Sequence, residues 1–241
     1  MAISRTSLRP TTVLAGSATF GALAALITLA APPALQLPFP ILFYLKFDVA
    51  EVVDVSSFMI FGPTAGLLTA GIHALILGSV GGGAGFGPFG ASLKFFGVLT
   101  TYVGLWLASR FGKSRLVGTG LKMTFLSLAT RVSLMTVVNY LYIIFLAQVV
   151  FGMDYLVYPQ FLLSQVGISV SGAALIGYVL ALTAIYNAVH VIFSVVVSLL
   201  LVNTLLRRAP DLLQTGAWIT KLLSPASGKT TLSSQSVKAS S

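Results

Sequence analysis

The sequence contains no cysteine and very little charge. Without cysteine there are no disulfides, thiolate zinc sites, iron–sulfur clusters or thiol nucleophiles, and redox arguments leave the compartment open. Charged residues make up 8% of the 241 positions, whereas a soluble domain carries about 25%. Fourteen basic and five acidic side chains cannot cover a soluble surface, so an ordinary soluble fold is excluded. Nucleotide and metal motifs are lacking as well. Gly112-Lys113-Ser114 and Gly228-Lys229-Thr230 imitate the end of a phosphate-binding loop, but the glycine needed five positions earlier is Leu107 in one case and Leu223 in the other. Gly85-Phe86-Gly87-Pro88-Phe89-Gly90 fits GxGxxG in letters only, because it follows Gly81-Gly82-Gly83 between apolar runs and reads as a glycine-rich external loop. The two histidines, His73 and His190, have no metal-site spacing, so neither a metal nor a hydrolase centre is supported.

What the chain does have is apolar length. The apolar residues reach 56% and the mean hydropathy is +0.98, which indicates a multi-pass protein of a cell membrane. Apolar segments run over about 12–31, 46–62, 64–79, 88–110, 122–150 and 183–206. The first, Thr12 to Ala31, has about 20 residues and crosses a core of roughly 30 Å at 1.5 Å per residue. A secretory core has about 7–15 residues, so this run is read as a retained helix, despite Arg5 and Arg9 before it and the cleavage-like Ala30-Ala31-Pro32 at its end. Gly62-Pro63 interrupts the stretch from Val49 to Leu77 and makes it either one kinked span or two helices joined by a tight turn.

Charge placement chooses between those two. The net charge of +9 is spread around the apolar segments, a distribution that sets membrane orientation and gives no support to nucleic-acid binding. Arg5 and Arg9 precede the first helix, Arg110, Lys113, Arg115 and Lys122 flank the gap between the fourth and fifth, and Arg207, Arg208, Lys221, Lys229 and Lys238 follow the last. These clusters share the cytoplasmic side only if Gly62-Pro63 is a turn. Asp48, Glu51, Asp54 and Asp154 then lie outside. The expected fold is an all-α membrane protein with six transmembrane helices and both termini cytoplasmic. Residues 1–11 form a cytoplasmic N-terminal segment, 12–208 the six-helix domain, and 209–241 a cytoplasmic, largely disordered tail. Gln160 to Thr183 is also apolar, but a further crossing there would put Arg207 and Arg208 outside. It is expected to be an interfacial or re-entrant excursion.

Polar side chains inside apolar runs are costly and mark cavities, partners or interfaces. Lys94 sits about 9 Å into the fourth helix and either snorkels to the outer headgroups or enters a binding site. Arg131, in the cytoplasmic half of the fifth helix, is expected to snorkel to the inner headgroups. Asn139 lies in the outer half of that helix beside Tyr140 and Tyr142, and an amide there wants a hydrogen-bonding partner. Asn187 and His190 share one face at the external end of the last helix. With Phe95, Phe96 and Tyr186 nearby, these groups suit either a pocket for a neutral, flat, hydrogen-bonding ligand or amides that bond helix to helix.

Phe43-Tyr44-Leu45-Lys46-Phe47-Asp48, followed by Phe61-Gly62-Pro63-Thr64-Ala65-Gly66-Leu67, resembles the "YLKFDFS…GFLFGPLAG" stretch of the substrate-binding (S) components of energy-coupling factor (ECF) vitamin transporters. Met135-Thr136-Val137-Val138-Asn139-Tyr140 is similar to the "MT..NY" segment of the riboflavin-specific members. Tyr186-Asn187 with His190 falls where that group has "FN..K", with His190 in place of the Lys. The likeness runs in order from Ile41 to Arg208.

The resemblance implies a six-helix S-component bundle with a pocket opening outward, in which Asn139 and Asn187 hydrogen-bond riboflavin. The candidate substrate-binding set is Asn139, Asn187, His190, Lys94, Tyr140 and Tyr186. Riboflavin is then a transported ligand; no cofactor or metal is expected, and the chain binds without catalysing. Small residues on the first helix of such proteins contact a transmembrane coupling subunit. Ala18 and Ala22, with Gly21 and Ala25 on an adjoining face, offer that surface or are ordinary alanine filling of a membrane helix. Two cytoplasmic ATPase subunits would supply the nucleotide hydrolysis that this chain lacks. The loop from Pro32 to Phe47 would cover the pocket. An S component for another vitamin, such as thiamine or biotin, and a non-transport membrane scaffold are the alternatives.

Overall fold

The computed structural model describes residues 8–30, 36–40, 42, 45–80, 87–146, 149, 154, 156–208 and 217–223. Its elements are α1 (Pro10–Ala30), the ribbon strands β1 (Gln36–Pro38) and β2 (Lys46–Asp48), α2 (Ala50–Phe61), α3 (Pro63–Ser79), α4 (Gly87–Ala108), α5 (Leu116–Leu141), α6 (Val157–Gln165) and α7 (Gly172–Arg208). A π-helical turn, Tyr142–Leu146, prolongs α5, and a 3₁₀ turn, Trp218–Leu222, follows α7. Among the described residues, four helices are long and apolar enough to cross a membrane: α1, α4, α5 with its π turn, and α7. Arg5, Phe43, Tyr44 and the glycine-rich stretch 81–86 lie outside the described residues.

Gly62 decides the path of the chain between α2 and α3. Its φ of 97° and ψ of −177° end α2 in a conformation natural only to glycine, and Pro63, with its fixed φ and no N–H to satisfy, starts α3. Residues on either side of that turn meet in pairs. Ser57 and Thr69 hydroxyls lie 2.7 Å apart, and His73 Nδ1 lies 2.8 Å from Asp54 Oδ2. Pairing about a centre near 63 requires two antiparallel helices, so the stretch is a helical hairpin and not a kinked span. At 1.5 Å per residue its arms are about 18 and 26 Å long.

Helices pack closely where side chains are smallest. A Cβ on Gly104 would fall 2.3 Å from Ser127 Cα, so α4 and α5 touch backbone to backbone, and Thr130 Oγ1 donates across that contact to Thr100 O at 2.9 Å. α1 presents Ser17, Gly21, Ala24, Ala25 and Thr28 inward, one stripe of its surface. The main core joins Val55, Phe58 and Met59 of the hairpin to Val98 and Leu105 of α4, Met123 of α5 and Val195 of α7.

The two ends of the bundle differ in charge. The hairpin tip packs on Trp218, whose ring meets Phe58 edge-on at 4.9 Å, and Ser114 N–H donates to Leu222 O, tying the α4–α5 loop to the same place. Arg9, Arg110, Lys113, Arg115, Arg207, Arg208 and Lys221 belong to the segments at this end. Lys122, within the first turns of α5, folds back to donate to Ser114 Oγ and to the Gly112 carbonyl. The ribbon lies at the other end, pairing Leu37 with Phe47 and Pro38 with Lys46 in antiparallel register. A second, smaller core of Leu42, Ile143, Leu163, Leu175 and Val179 is built there.

One expectation is corrected here. The apolar stretch Gln160 to Thr183 is not one excursion. Its first part belongs to α6, Gly167 turns the chain with a φ of 79°, and everything from Gly172 onward is continuous with the last helix. No proline interrupts residues 172–208, so α7 keeps its hydrogen bonds for 37 residues and reaches about 55 Å, longer than a hydrocarbon core of roughly 30 Å. Within the tail expected to be largely disordered, Ala217 and Ile219 are both 1% exposed beneath the hairpin, and Trp218, Ile219 and Leu222 pack into the main core. Residues 209–216 and 224–241 lie outside the described residues.

Candidate functional site

Under the ribbon, β2 and helices α1 to α5 and α7 contribute polar and charged side chains to one buried network. α2 begins immediately after the ribbon, so Asp48, Glu51 and Asp54 follow one another down its first turns. The Ala50 N–H donates to Asp48 Oδ1 at 2.8 Å. Lys94 of α4 pairs with Asp48 Oδ2 and also donates to Thr28 Oγ1 of α1 at 3.1 Å, while the Thr28 hydroxyl donates to Asp48 Oδ2 at 2.7 Å. Burial works to raise the Asp48 carboxyl, but the Lys94 ammonium, the Thr28 hydroxyl and the Ala50 N–H prevail and hold it at about 2.

Deeper in, Arg131 of α5 is the hub. Its Nη1 pairs with Glu51 Oε1 and donates to Thr101 Oγ1 at 3.1 Å, and its Nε donates to Asn187 Oδ1 at 3.0 Å. Asn187 Nδ2 donates to the Thr183 carbonyl at 3.0 Å, so both ends of the amide are engaged. His190 Nε2 lies 3.3 Å from the Asp48 carbonyl and 3.4 Å from Glu51 Oε2, and its Nδ1 lies 3.0 Å from Tyr186 OH. Tyr186 OH donates to the Lys46 carbonyl at 2.7 Å, which fastens the ribbon to α7. Phe47 covers the cluster, its ring 5.0 Å from that of Tyr186 and 5.7 Å from His190, with Phe39 beside Tyr186 at 5.7 Å.

A small cavity adjoins the cluster, lined by Asp54, His73, Lys94, Phe95 and Val98 among others. Asp54 Oδ1 is buried against it and accepts no hydrogen bond among the described residues. Those residues contain no grouping of three or more His, Asp or Glu fit to hold a metal ion.

The structure brings some of the candidate residues together and leaves others apart. Asn187, His190, Tyr186 and Lys94 meet here, and Lys94 reaches Asp48 instead of snorkelling. Asn139 is buried, 7% exposed, on the same stripe of α5 as Arg131, but about 12 Å further along, and its amide donates to Met135 O at 2.7 Å. Tyr140, 46% exposed, faces away from the cluster. On α1, Ala18 and Ala22 are exposed, whereas Gly21 and Ala25 are buried, Gly21 close against Ile72 of α3.

Arg131 corrects the snorkelling expectation, since it is 3% exposed and points into the bundle. Glu51 and Asp54, read as external acids, are 1% and 0% exposed. The missed signal was charge matching: two acids three residues apart at the head of an apolar hairpin need buried cations, and Lys94 and Arg131 stand in the middle of apolar runs.

No family model matches the chain, and no curated protein matches it in sequence. Among solved structures it is similar to the S component of a bacterial ECF transporter, with a TM-score of 0.56 and 16% identity over 83% of this chain and 98% of that one. The fold is that of an S component. An S-component bundle therefore underlies the buried cluster, and at 16% identity the likeness concerns architecture alone.

Proposed function

We propose that this chain is the substrate-capture subunit of an ECF-type vitamin transporter, that it crosses the cell membrane six times with both termini cytoplasmic, and that its ligand is riboflavin. The observation that carries the reading is the sequestered cluster of Asn187, His190, Tyr186, Lys94 and Arg131, roofed by the Phe47 ribbon on an S-component fold. The gathering of basic residues at the end opposite the ribbon supports the orientation, because Lys and Arg collect on cytoplasmic loops.

Riboflavin would enter from the ribbon side and hydrogen-bond Asn187 and His190, with Asn139 and Lys94 at the margins of the site. The loaded protein would dock the exposed Ala18 and Ala22 of α1 against a transmembrane coupling subunit, and two cytoplasmic ATPase subunits would drive release inward. The chain itself binds and carries and performs no catalysis. The charges of Arg131 and Glu51 favour a second reading, in which another vitamin with an ionic group, such as biotin or thiamine, takes the same place.

Purification in mild detergent followed by riboflavin titration tests the proposal. Quenched flavin fluorescence with saturable binding is expected. A colourless protein that leaves riboflavin fluorescence unchanged overturns the riboflavin assignment, and saturable binding of biotin or thiamine then identifies the second reading.

A further inference from the structure

Arg131 has more hydrogens to give than the cluster takes. A guanidinium carries five N–H donors and no acceptor. The Nε hydrogen goes to Asn187 Oδ1 at 3.0 Å, and the two on Nη1 go to Glu51 Oε1 and to Thr101 Oγ1, whose own proton is directed to the Gly97 carbonyl at 3.0 Å. Two remain, both on Nη2. Among the described residues, the polar atom that faces them is His190 Nδ1, 3.4 Å away.

That nitrogen does not accept them. Tyr186 OH stands 2.7 Å from the Lys46 carbonyl, and since a carbonyl only accepts, the phenol proton lies there. Toward His190 Nδ1, 3.0 Å away, the phenol oxygen is then the acceptor, so Nδ1 carries hydrogen and meets Nη2 as donor against donor. Two N–H groups of a cation 3% exposed are thus left without an acceptor among the described residues. A buried charged group with unmade hydrogen bonds is costly, and an acceptor oxygen brought to Nη2 removes that cost.

The surroundings of Nη2 admit such an oxygen. On one side is Gly97 of α4, where a Cβ would come within 3.2 Å of Nη2 and glycine has none. On the other is His190 of α7, whose ring is covered by Phe47 of the ribbon at 5.7 Å between centroids. A ring that enters in place of Phe47 comes to rest on His190 and beside Nη2. We infer that the Nη2 edge of Arg131 binds the captured vitamin directly, and that the vitamin presents to it an acceptor oxygen, a carbonyl or a carboxylate. Resting on the cluster's being the vitamin site, this narrows the ligands: riboflavin, with its ring carbonyls, and biotin, with a ureido carbonyl and a carboxylate, qualify, whereas thiamine has neither group.

Titration of the full chain in detergent with riboflavin, biotin and thiamine comes first. Saturable binding of thiamine alone overturns the inference and leaves the capture role standing; binding of none of the three removes the vitamin site itself, and the inference with it. With riboflavin or biotin bound, the infrared carbonyl or carboxylate stretch of the ligand is expected to shift on binding. Arg131→Lys keeps a cation for Glu51 and loses the Nη2 edge, so it should abolish that shift and raise Kd about tenfold or more. A Kd within about twofold of wild type, or a shift that survives in Arg131→Lys, overturns the inference. Gly97→Ala gives a second measurement if Arg131→Lys folds poorly, because its methyl crowds Nη2 while the Glu51 pair stays in place. It should diminish the shift and raise Kd severalfold; an unchanged band with an unchanged Kd overturns the inference.

Discussion

The guanidinium of Arg131 and the carboxylate of Glu51, 80 residues apart in sequence, pair inside the bundle at 3% and 1% exposure. Desolvating two ions costs nearly as much as their attraction returns, so the pair adds little by itself, but removing one partner strands the other. Glu51→Gln is therefore expected to destabilise the protein by about 3–5 kcal/mol, and Glu51→Gln with Arg131→Gln by clearly less than the sum of the single losses. Equilibrium unfolding in detergent measures both. A single-variant loss below about 1 kcal/mol would show that water reaches the pair.

That pair also marks where the sequence stopped being legible. Helix positions could be read because apolar runs of about 20 residues have few other solutions, and Gly62-Pro63 could be read as a turn once the basic residues were required to share a side. Asn187, His190, Tyr186 and Lys94 stood out as polar groups in apolar surroundings. Side-chain direction was not legible. Arg131 in the inner half of a helix reads as a snorkelling residue, and only the arrival of Glu51 from α2 shows it to be a buried hub. The start of the last helix was missed for a related reason: residues 172–183 are apolar and helical, and hydropathy alone does not tell a separate excursion from three more turns of the same helix.

Acid should loosen the ribbon. Asp48 is held at about 2 against an ordinary 3.8, so it stabilises the seated ribbon fully above pH 3.8, and that contribution disappears as pH falls through about 2. The difference is on the order of 2 kcal/mol. Asp48→Asn should lack this contribution at every pH. The stability gap between wild type and Asp48→Asn is thus expected to close between pH 4 and pH 2; a gap that stays constant across that range would remove Asp48 from the ribbon's anchorage.

Gly104 sets the distance between α4 and α5. A methyl group there would overlap Ser127 Cα and N, 2.3 and 2.5 Å away, and neither is the tip of a flexible side chain. Gly104→Ala should cost about 1–3 kcal/mol of stability through forced separation of the helices, and loosen Thr101 and Thr130 with them. By contrast Gly71→Ala, with open space around the new methyl, should be neutral or slightly stabilising. Equal effects of the two substitutions on Tm would contradict the close approach.

Asn187 and Tyr140 separate a binding role from a surface one. Asn187 accepts from Arg131 Nε and donates to Thr183 O within the cluster, so Asn187→Ala leaves a buried guanidinium N–H without an acceptor and disturbs the surface offered to the ligand. Riboflavin affinity should fall by about 1–3 kcal/mol, or roughly 5- to 150-fold in Kd. Tyr140 is 46% exposed and turned away, so Tyr140→Ala should leave Kd within about twofold, as surface substitutions do. Fluorescence titration of both variants decides: a Kd that responds to Tyr140 and ignores Asn187 would move the site outward along α5, toward Asn139.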